Sequence, residues 1–467
     1  MDIPGPKLQT TPATILEDVY KTLRPEPLQK PEELTAFYKA ALNETRGGDQ
    51  MKRLRLGLSR AYGDVVPFKA CLMGHPGVGK STELSRLIVE IEPEFQTIRF
   101  SATSVLDPVN FRPLDVLLIM MIEVAEQTAK LVGTPPSASC LRKIWDWFAV
   151  ETSSRTMQSE SKAGVEAGAG VKSDSLWAQV LGLFANLKGE IRFASAREDK
   201  VVEYRLSRLD DLIEAVNELL DECTRLLQTL NRQEWLFIGE DFDKPRMDPK
   251  RVSELFITYG NIFQDLRTHL IFSVPIALYY SVGASQLPFS PSCSFIIPDT
   301  PVYTQDHLPN EQGREAIRTV LAARMNLDLF EDDQVTQFIV ASGGNLRDLF
   351  TLVSYAADSA ILREADKISA NDALGAINNL RSDYKRRLGQ SPFSPDPVPY
   401  SEKVTLLQQI YAGREDGQIT NPAMYSLLGT RAVQEFNGKR WFGVHPLVVD
   451  ILKEQGHLQE DAEGGTL

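Results

Sequence analysis

Nine residues, GHPGVGKST (74–82), constrain this chain more than any others. They hold the pattern G-x-x-x-x-G-K-[ST] as Gly74, Gly79, Lys80 and Ser81. The apolar run Phe68–Met73 precedes them and a helical pattern, Glu83–Ile91, follows. A strand, a glycine-rich loop and a helix in that order form a phosphate cradle, the P-loop. Glycines let the backbone curl until successive N–H groups face one anion, and the helix N-terminus adds its dipole. The phosphate contacts are therefore expected from Gly74, His75, Pro76, Gly77, Val78, Gly79, Lys80, Ser81 and Thr82. Lys80 would reach the β- and γ-phosphates as a compact charge, and Ser81 would offer its hydroxyl to magnesium. The expected ligand is ATP or a close relative, with Mg2+. The competing reading is a glycine-rich turn before a helix.

A triphosphate site that does chemistry needs carboxylates. WLFIGEDFD (235–243) runs apolar residues into three of them at a strand end. One carboxylate holds the magnesium shell and a second polarises the attacking water. Glu240 is assigned to the metal, with Ser81, and Asp241 to the water; Asp243 is able to share either role. Glu is unusual at the first position. The alternative is a solvated acidic turn. A further strand, HLIFSVP (269–275), sets Ser273 near its end, where it would orient the γ-phosphate or rest as a satisfied buried serine. In ASGGNLRDLF (341–350), Gly343, Gly344 and Asn345 break the chain before a helix whose first turn carries Arg347. The helix dipole does not favour a cation there, so Arg347 calls for an anionic partner. That partner is a γ-phosphate across a cleft, or Asp348 and its neighbours.

The remainder supplies the frame. Residues 1–62 are polar and proline-punctuated, a lead-in with short helices at Glu32–Asn43 and Met51–Ala61. Residues 63–300 alternate strands with helices, the signature of a parallel α/β sheet. The expected strands are Phe68–Met73, Thr97–Ser101, Trp235–Gly239, Leu270–Val274 and Ser294–Pro298. Residues 151–200 interrupt this rhythm as an insertion, with KAGVEAGAGVKSDS (162–175) rich in Gly, Ala and Ser. LWAQVLGLFANL (176–187) beside it has helical spacing and reads either as a partner- or membrane-docking helix or as an element packed on the body. Residues 301–390 are helical. Leu346, Leu349, Phe350, Val353, Ala356, Ala357 and Ala360 follow the 3.6-residue period, and Ser369 with Asp372 forms a capping box. SPFSPDPVP (391–399) is a linker, 400–457 a small final module with a hairpin signal at Asn437-Gly438, and 458–467 a polar tail expected to be disordered.

Composition bounds the function classes. The 467 residues carry a net charge of −13, which argues against a surface made for nucleic-acid backbones. The four cysteines, Cys71, Cys140, Cys223 and Cys293, show no CxxC spacing and read as buried hydrophobes of a reducing compartment. The longest apolar run, Val116–Ile122, is too short to cross a bilayer, and no secretory signal is expected, so the expected location is cytoplasmic.

Taken in order, GHPGVGKST, FIGEDFD, LIFSVP and GGNLRDL resemble the Walker A, Walker B, sensor-1 and sensor-2 stretches of AAA+ and STAND P-loop ATPases. From GGNLRDLFTLVSYAADSA to ISANDALGAINNL the chain is similar to origin-recognition-type ATPases. The resemblance implies a parallel P-loop sheet with a helical lid and a small winged-helix-like C-terminal domain. It implies ATP hydrolysis with Asp241, Glu240, Lys80, Arg347 and Ser273 in catalytic or sensing roles, and places Arg46 of RGGDQ (46–50) near the base. It departs from the pattern in two ways. Residues 268–300 hold no arginine to act as a finger towards a neighbouring subunit, leaving Arg251, Arg267 or Arg314 as substitutes. Residues 391–467 hold ten Asp/Glu against six Lys/Arg, and Lys439-Arg440 is their one adjacent basic pair. The resemblance therefore implies a nucleotide switch acting on a protein partner or a second copy, as in signalling or phage defence. Its alternative is a DNA-engaged initiator, loader or transposition regulator, and a third reading is a scaffold that binds nucleotide without turning it over.

Overall fold

The computed structural model describes residues 9–46, 50–152, 173–193, 208–231, 233–281, 283, 285, 287–289, 291–331, 333–389, 398–414, 421–436 and 441–459. Five parallel strands form the central sheet: β1 (Lys69–Met73), β2 (Phe95–Ser101), β3 (Glu234–Glu240), β4 (His269–Ser273) and β5 (Ser294–Ile296). Their order is β2-β3-β4-β1-β5, so β1 lies between β4 and β5. All five are the strands expected from the sequence, moved by a residue or two at their ends. The register pairs Leu72 with Ser273 and Ser101 with Glu240, which lines up the carboxyl ends of β1 to β4. In an open parallel sheet that edge is where ligands sit.

Strand residues alternate between two apolar layers. Ala70, Leu72, Leu236, Ile238 and Ile271 face one layer, with α1 (Gln50–Ala61) and α2 (Lys80–Ile91), through Leu54, Leu58, Leu84 and Leu87. Cys71, Met73, Phe237, Leu270 and Phe272 face the other. That side is covered by α3 (Pro113–Val132), α4 (Ala138–Thr152), α5 (Ser173–Arg192) and α6 (Leu209–Asn231). The stretch 176–187 lies in α5 and buries Val180, Phe184 and Leu187. It is an element packed on the body, as one of the two sequence readings held. Most of the Gly/Ala/Ser-rich run 162–175 falls outside the described residues. No helix among the described residues is long and apolar enough to cross a membrane.

The lid has four helices, α7 (Glu311–Ala322), α8 (Gln334–Ala341), α9 (Leu346–Leu362) and α10 (Ala370–Leu388). The apolar stripe of α9 is buried from Leu349 to Ala360, and the Ser369–Asp372 capping box opens α10. Lys403 donates to the Leu388 and Gly389 carbonyls, tying the end of α10 to the next domain. That domain comprises α11 (Tyr400–Tyr411), α12 (Pro422–Thr430), the hairpin β6 (Val433–Phe436) and β7 (Trp441–Val444), and α13 (Pro446–Glu454), a winged-helix-like arrangement. The hairpin ladder pairs Phe436 with Trp441, so four residues, 437–440, make the connection. A two-residue turn centred on Asn437-Gly438 would pair Phe436 two positions earlier; the loop itself lies outside the described residues, as do Lys439 and Arg440. Most of the Pro-rich linker and the final residues are outside them too.

The lead-in is a strap across the molecule. Ala13 forms a parallel bridge to Met325 of the lid, and Leu28 N–H donates to Thr82 Oγ1 of α2 at 3.2 Å. The single helix expected over Glu32–Asn43 is two, Pro31–Phe37 and Ala41–Thr45, because Tyr38 takes an extended ψ of 133°. The break turns Tyr38 and Asn43 onto Glu83 of α2.

Candidate functional site

The loop after β1 owes its shape to glycine: Gly74, Gly77 and Gly79 adopt φ of 145°, 94° and 102°, which side chains with a Cβ rarely reach. Lys80 opens α2 and folds back to donate to the carbonyls of Gly74 and His75 at 2.8 and 3.0 Å. Its Nζ also pairs with Asp243 at 2.7 Å, both side chains 7% exposed. Of the three carboxylates at the end of β3, Glu240, Asp241 and Asp243, the last is the one paired with the P-loop lysine.

Glu240 ends β3 and is buried. Arg99 of β2 holds its Oε2 from Nε at 2.5 Å, while Nη1 and Nη2 reach Ser85 Oγ at 2.8 Å and Ser81 O at 3.1 Å. Glu240 Oε1 is buried with no hydrogen-bond partner among the described residues. Asp241 follows in a left-handed conformation, φ 68°, and accepts from Ser101 Oγ at 2.6 Å. Ser273 ends β4, buried, level with Leu72 beside the P-loop strand.

The lid closes the other side. Gly343 and Gly344 turn at φ of 58° and 81°. A Cβ on Gly344 would lie 1.8 Å from Thr300 O, and one on Gly343 2.5 Å from His445 Nε2, so the turn is pressed between core and C-terminal domain. Asn345 caps α9 by accepting from Arg347 N–H, and its Nδ2 donates to Pro76 O in the P-loop at 3.0 Å. Arg347 leaves that cap towards the loop: its Cβ would be 2.8 Å from a Cβ on Gly77. Burial and the nearby Arg431 lower its pKa, while Asp243 and Asp241 favour its charge. Lys80, Asp243, Asp241 and Arg347 are thus in one place. Arg46 is buried and donates to Thr300 Oγ1 at 3.0 Å, next to Asp299 and Glu83.

Magnesium would arrive with a triphosphate and take most of its oxygens from phosphate and water. The residues present fit it: the Ser81 hydroxyl at the start of α2, and the buried Glu240 carboxylate, whose Oε1 has no hydrogen-bond partner among the described residues. No group of three or more His, Cys, Asp or Glu that could hold a metal unaided occurs among the described residues.

No protein-family model and no curated protein matches the chain. Solved structures do. Cdc6p from Pyrobaculum aerophilum is 12% identical, with 87% of this chain and 93% of that chain covered at a TM-score of 0.35. The ORC2 protein of Aeropyrum pernix, in its ADPNP–ADP complexes, is 12% identical over 90% and 99% at 0.36. The Thermotoga maritima RuvB Holliday junction branch migration motor is 12% identical over 92% and 99% at 0.33.

Sequence reasoning missed the residues that join the parts. Arg431, just after α12, is buried; Nη1 donates to Pro76 O at 3.3 Å and Nη2 pairs with Asp348 of α9 at 2.9 Å. Burial opposes its charge, but Tyr384 and Asp348 outweigh burial and raise its pKa. For Asp348 burial is likewise outweighed, by Arg431 and His445, and its pKa is lowered. Tyr384 donates to the second Asp348 oxygen at 3.0 Å, and His445 stacks on Tyr384 with centroids 4.3 Å apart. Asp299, beyond β5, is fully buried 3.6 Å from His75, and burial raises its pKa to about 6 against the pull of Arg431 and Arg46. The proposed finger substitutes are engaged within the chain: Arg251 with Glu254, Arg267 with Asp221, Arg314 with Val302 O and the Tyr303 ring.

Proposed function

We propose that this chain is an ATP-binding and ATP-hydrolysing switch of the AAA+/STAND kind, whose nucleotide state is read by its C-terminal domain. One observation carries the reading. Pro76 O, in the phosphate loop, accepts both from Asn345 of the lid and from Arg431 of the C-terminal domain. Whatever fills the loop therefore bears on three parts of the fold at once. Lys80 and Arg347 supply the positive charge that a triphosphate needs. Magnesium, when bound, would neutralise the developing charge on the phosphates. Ser101 orients Asp241, which is assigned to hold the attacking water; Ser273 is assigned to the γ-phosphate. The loop also has a lysine partner, Asp243, that a phosphate must displace, so ligand entry changes the electrostatics of the β3 end.

The test is ATP affinity and phosphate release for Lys80→Ala and Asp241→Asn. Lys80→Ala is expected to weaken ATP by roughly 100-fold or more, the loss of a buried charge-assisted contact. Asp241→Asn is expected to keep affinity within about 3-fold and slow turnover by roughly 100-fold or more. Unchanged affinity in the first removes the phosphate site. Normal turnover in the second moves the water-holding role to another carboxylate, with Asp243 next.

A further inference from the structure

Each acidic side chain in the stretch 240–243 already has a cation from this chain. Glu240 has Arg99 at 2.5 Å, Asp241 has Lys244 at 3.4 Å and Asp243 has Lys80 at 2.7 Å. A divalent cation is drawn to a site by uncompensated carboxylate charge, and a fixed positive charge within a few ångströms repels it. Lys80 differs from Arg99 in one respect: a phosphate entering the loop offers it a new partner. Arg99 stays anchored, because its three acceptors, Glu240 Oε2, Ser85 Oγ and Ser81 O, are all protein atoms on two elements. Two of those acceptors frame the metal position, since Ser81 carries the hydroxyl and Glu240 the carboxylate expected to hold it. A guanidinium spans such a set with planar, divergent donors, which an ammonium does not.

We propose that Arg99 is a built-in counter-charge for Glu240 that takes over part of the work of magnesium, so that the P-loop retains ATP nearly as well without the metal as with it. The inference rests on the phosphate-site reading of the P-loop. Arg99 ties Glu240 to the first turn of α2 whether or not a metal is present. The free Oε1 leaves one carboxylate oxygen for the ion, enough for turnover and too little, with the guanidinium beside it, to make nucleotide binding depend on the ion.

The experiment measures the Kd of ATP for the full chain by calorimetry in magnesium and in EDTA, for the wild type, Arg99→Gln and Arg99→Lys. The wild-type ratio of the two constants is expected to lie within about 3-fold of one. Arg99→Gln exposes the Glu240 charge, and its ratio is expected to rise to roughly 10-fold or more, as for the gain of one close opposite charge by the metal. Arg99→Lys keeps a charge and loses the bridge, and should fall between; it decides the matter by itself if Arg99→Gln does not fold. A wild-type ratio well above 10-fold, or a ratio that neither substitution changes, overturns the proposal. A wild type that binds no ATP in either buffer overturns the phosphate-site reading beneath it, a result distinct from an unchanged ratio.

Discussion

At the scale of single residues, the site is built by groups whose alternatives are costly. Gly77 is the clearest case. Its φ of 94° is strained for any other residue, and a Cβ there would meet Asn345 Oδ1 at 2.3 Å and Arg347 Cβ at 2.8 Å. Gly77→Ala must shift either the loop or the lid, at a cost of about 1–3 kcal/mol. Thermal unfolding should show a lower Tm, and ATP affinity should fall with it; an unchanged Tm would mean that loop and lid do not touch as described. The residues of this site divide by how far away their partners lie. Lys80 and Ser81 declare themselves through a local pattern with its own mechanism. Arg99 and Arg431 do not: their acceptors Glu240 and Pro76 are 141 and 355 positions away in the chain. Only the fold brings them together.

At the scale of elements, β1, β3 and β4 were legible as short apolar runs and β2 by its alternation of apolar and polar residues, and their parallel direction follows from the helices between them. The lead-in was less so. A polar, proline-rich stretch gives no period, yet Ala13, Leu16 and Val19 are buried against the lid. The junction of lid and C-terminal domain has a pH signature of its own. His445 caps α13, accepting from Leu447 N–H through Nδ1 at 3.3 Å, with Nε2 facing Ser342 O at 3.3 Å. Burial lowers its pKa from 6.5 to about 4. The folded state therefore keeps this ring neutral, and its contribution is intact above the unfolded value of 6.5. As pH falls from 6.5 towards 4 the unfolded chain gains the proton first, and stability drops by about 2 kcal/mol at pH 5. His75, lowered to about 3 by burial and nearby cations, acts in the same direction. Asp299, raised to about 6, acts in the opposite one: the folded state takes its proton before the unfolded chain does. Denaturant titrations at pH 7 and pH 5 should show a smaller difference for His445→Gln than for the wild type. An equal difference would place the acid sensitivity elsewhere.

At the scale of the whole molecule, the C-terminal domain is seated against the carboxyl end of the sheet. Helix α12 packs on Ile276–Tyr279, the turn that follows Ser273 and β4, and Tyr280 meets Phe442 edge-on with centroids 5.0 Å apart. The Glu435 carbonyl accepts from Asp299 N–H at 3.1 Å, and Gln434 donates to Gly343 O at 2.9 Å. This domain was legible as a small separate module but not as one that touches the phosphate loop, since nothing in residues 400–457 resembles a nucleotide contact. The central claim is that nucleotide at the P-loop is felt by this domain through Arg431. Amide hydrogen exchange of residues 421–436, with and without saturating ATP, tests it most directly. The account predicts that ATP changes the protection of this segment in the wild type and leaves it unchanged in an Arg431→Ala variant that still binds ATP; identical exchange in the ATP-bound and ATP-free wild type would contradict it.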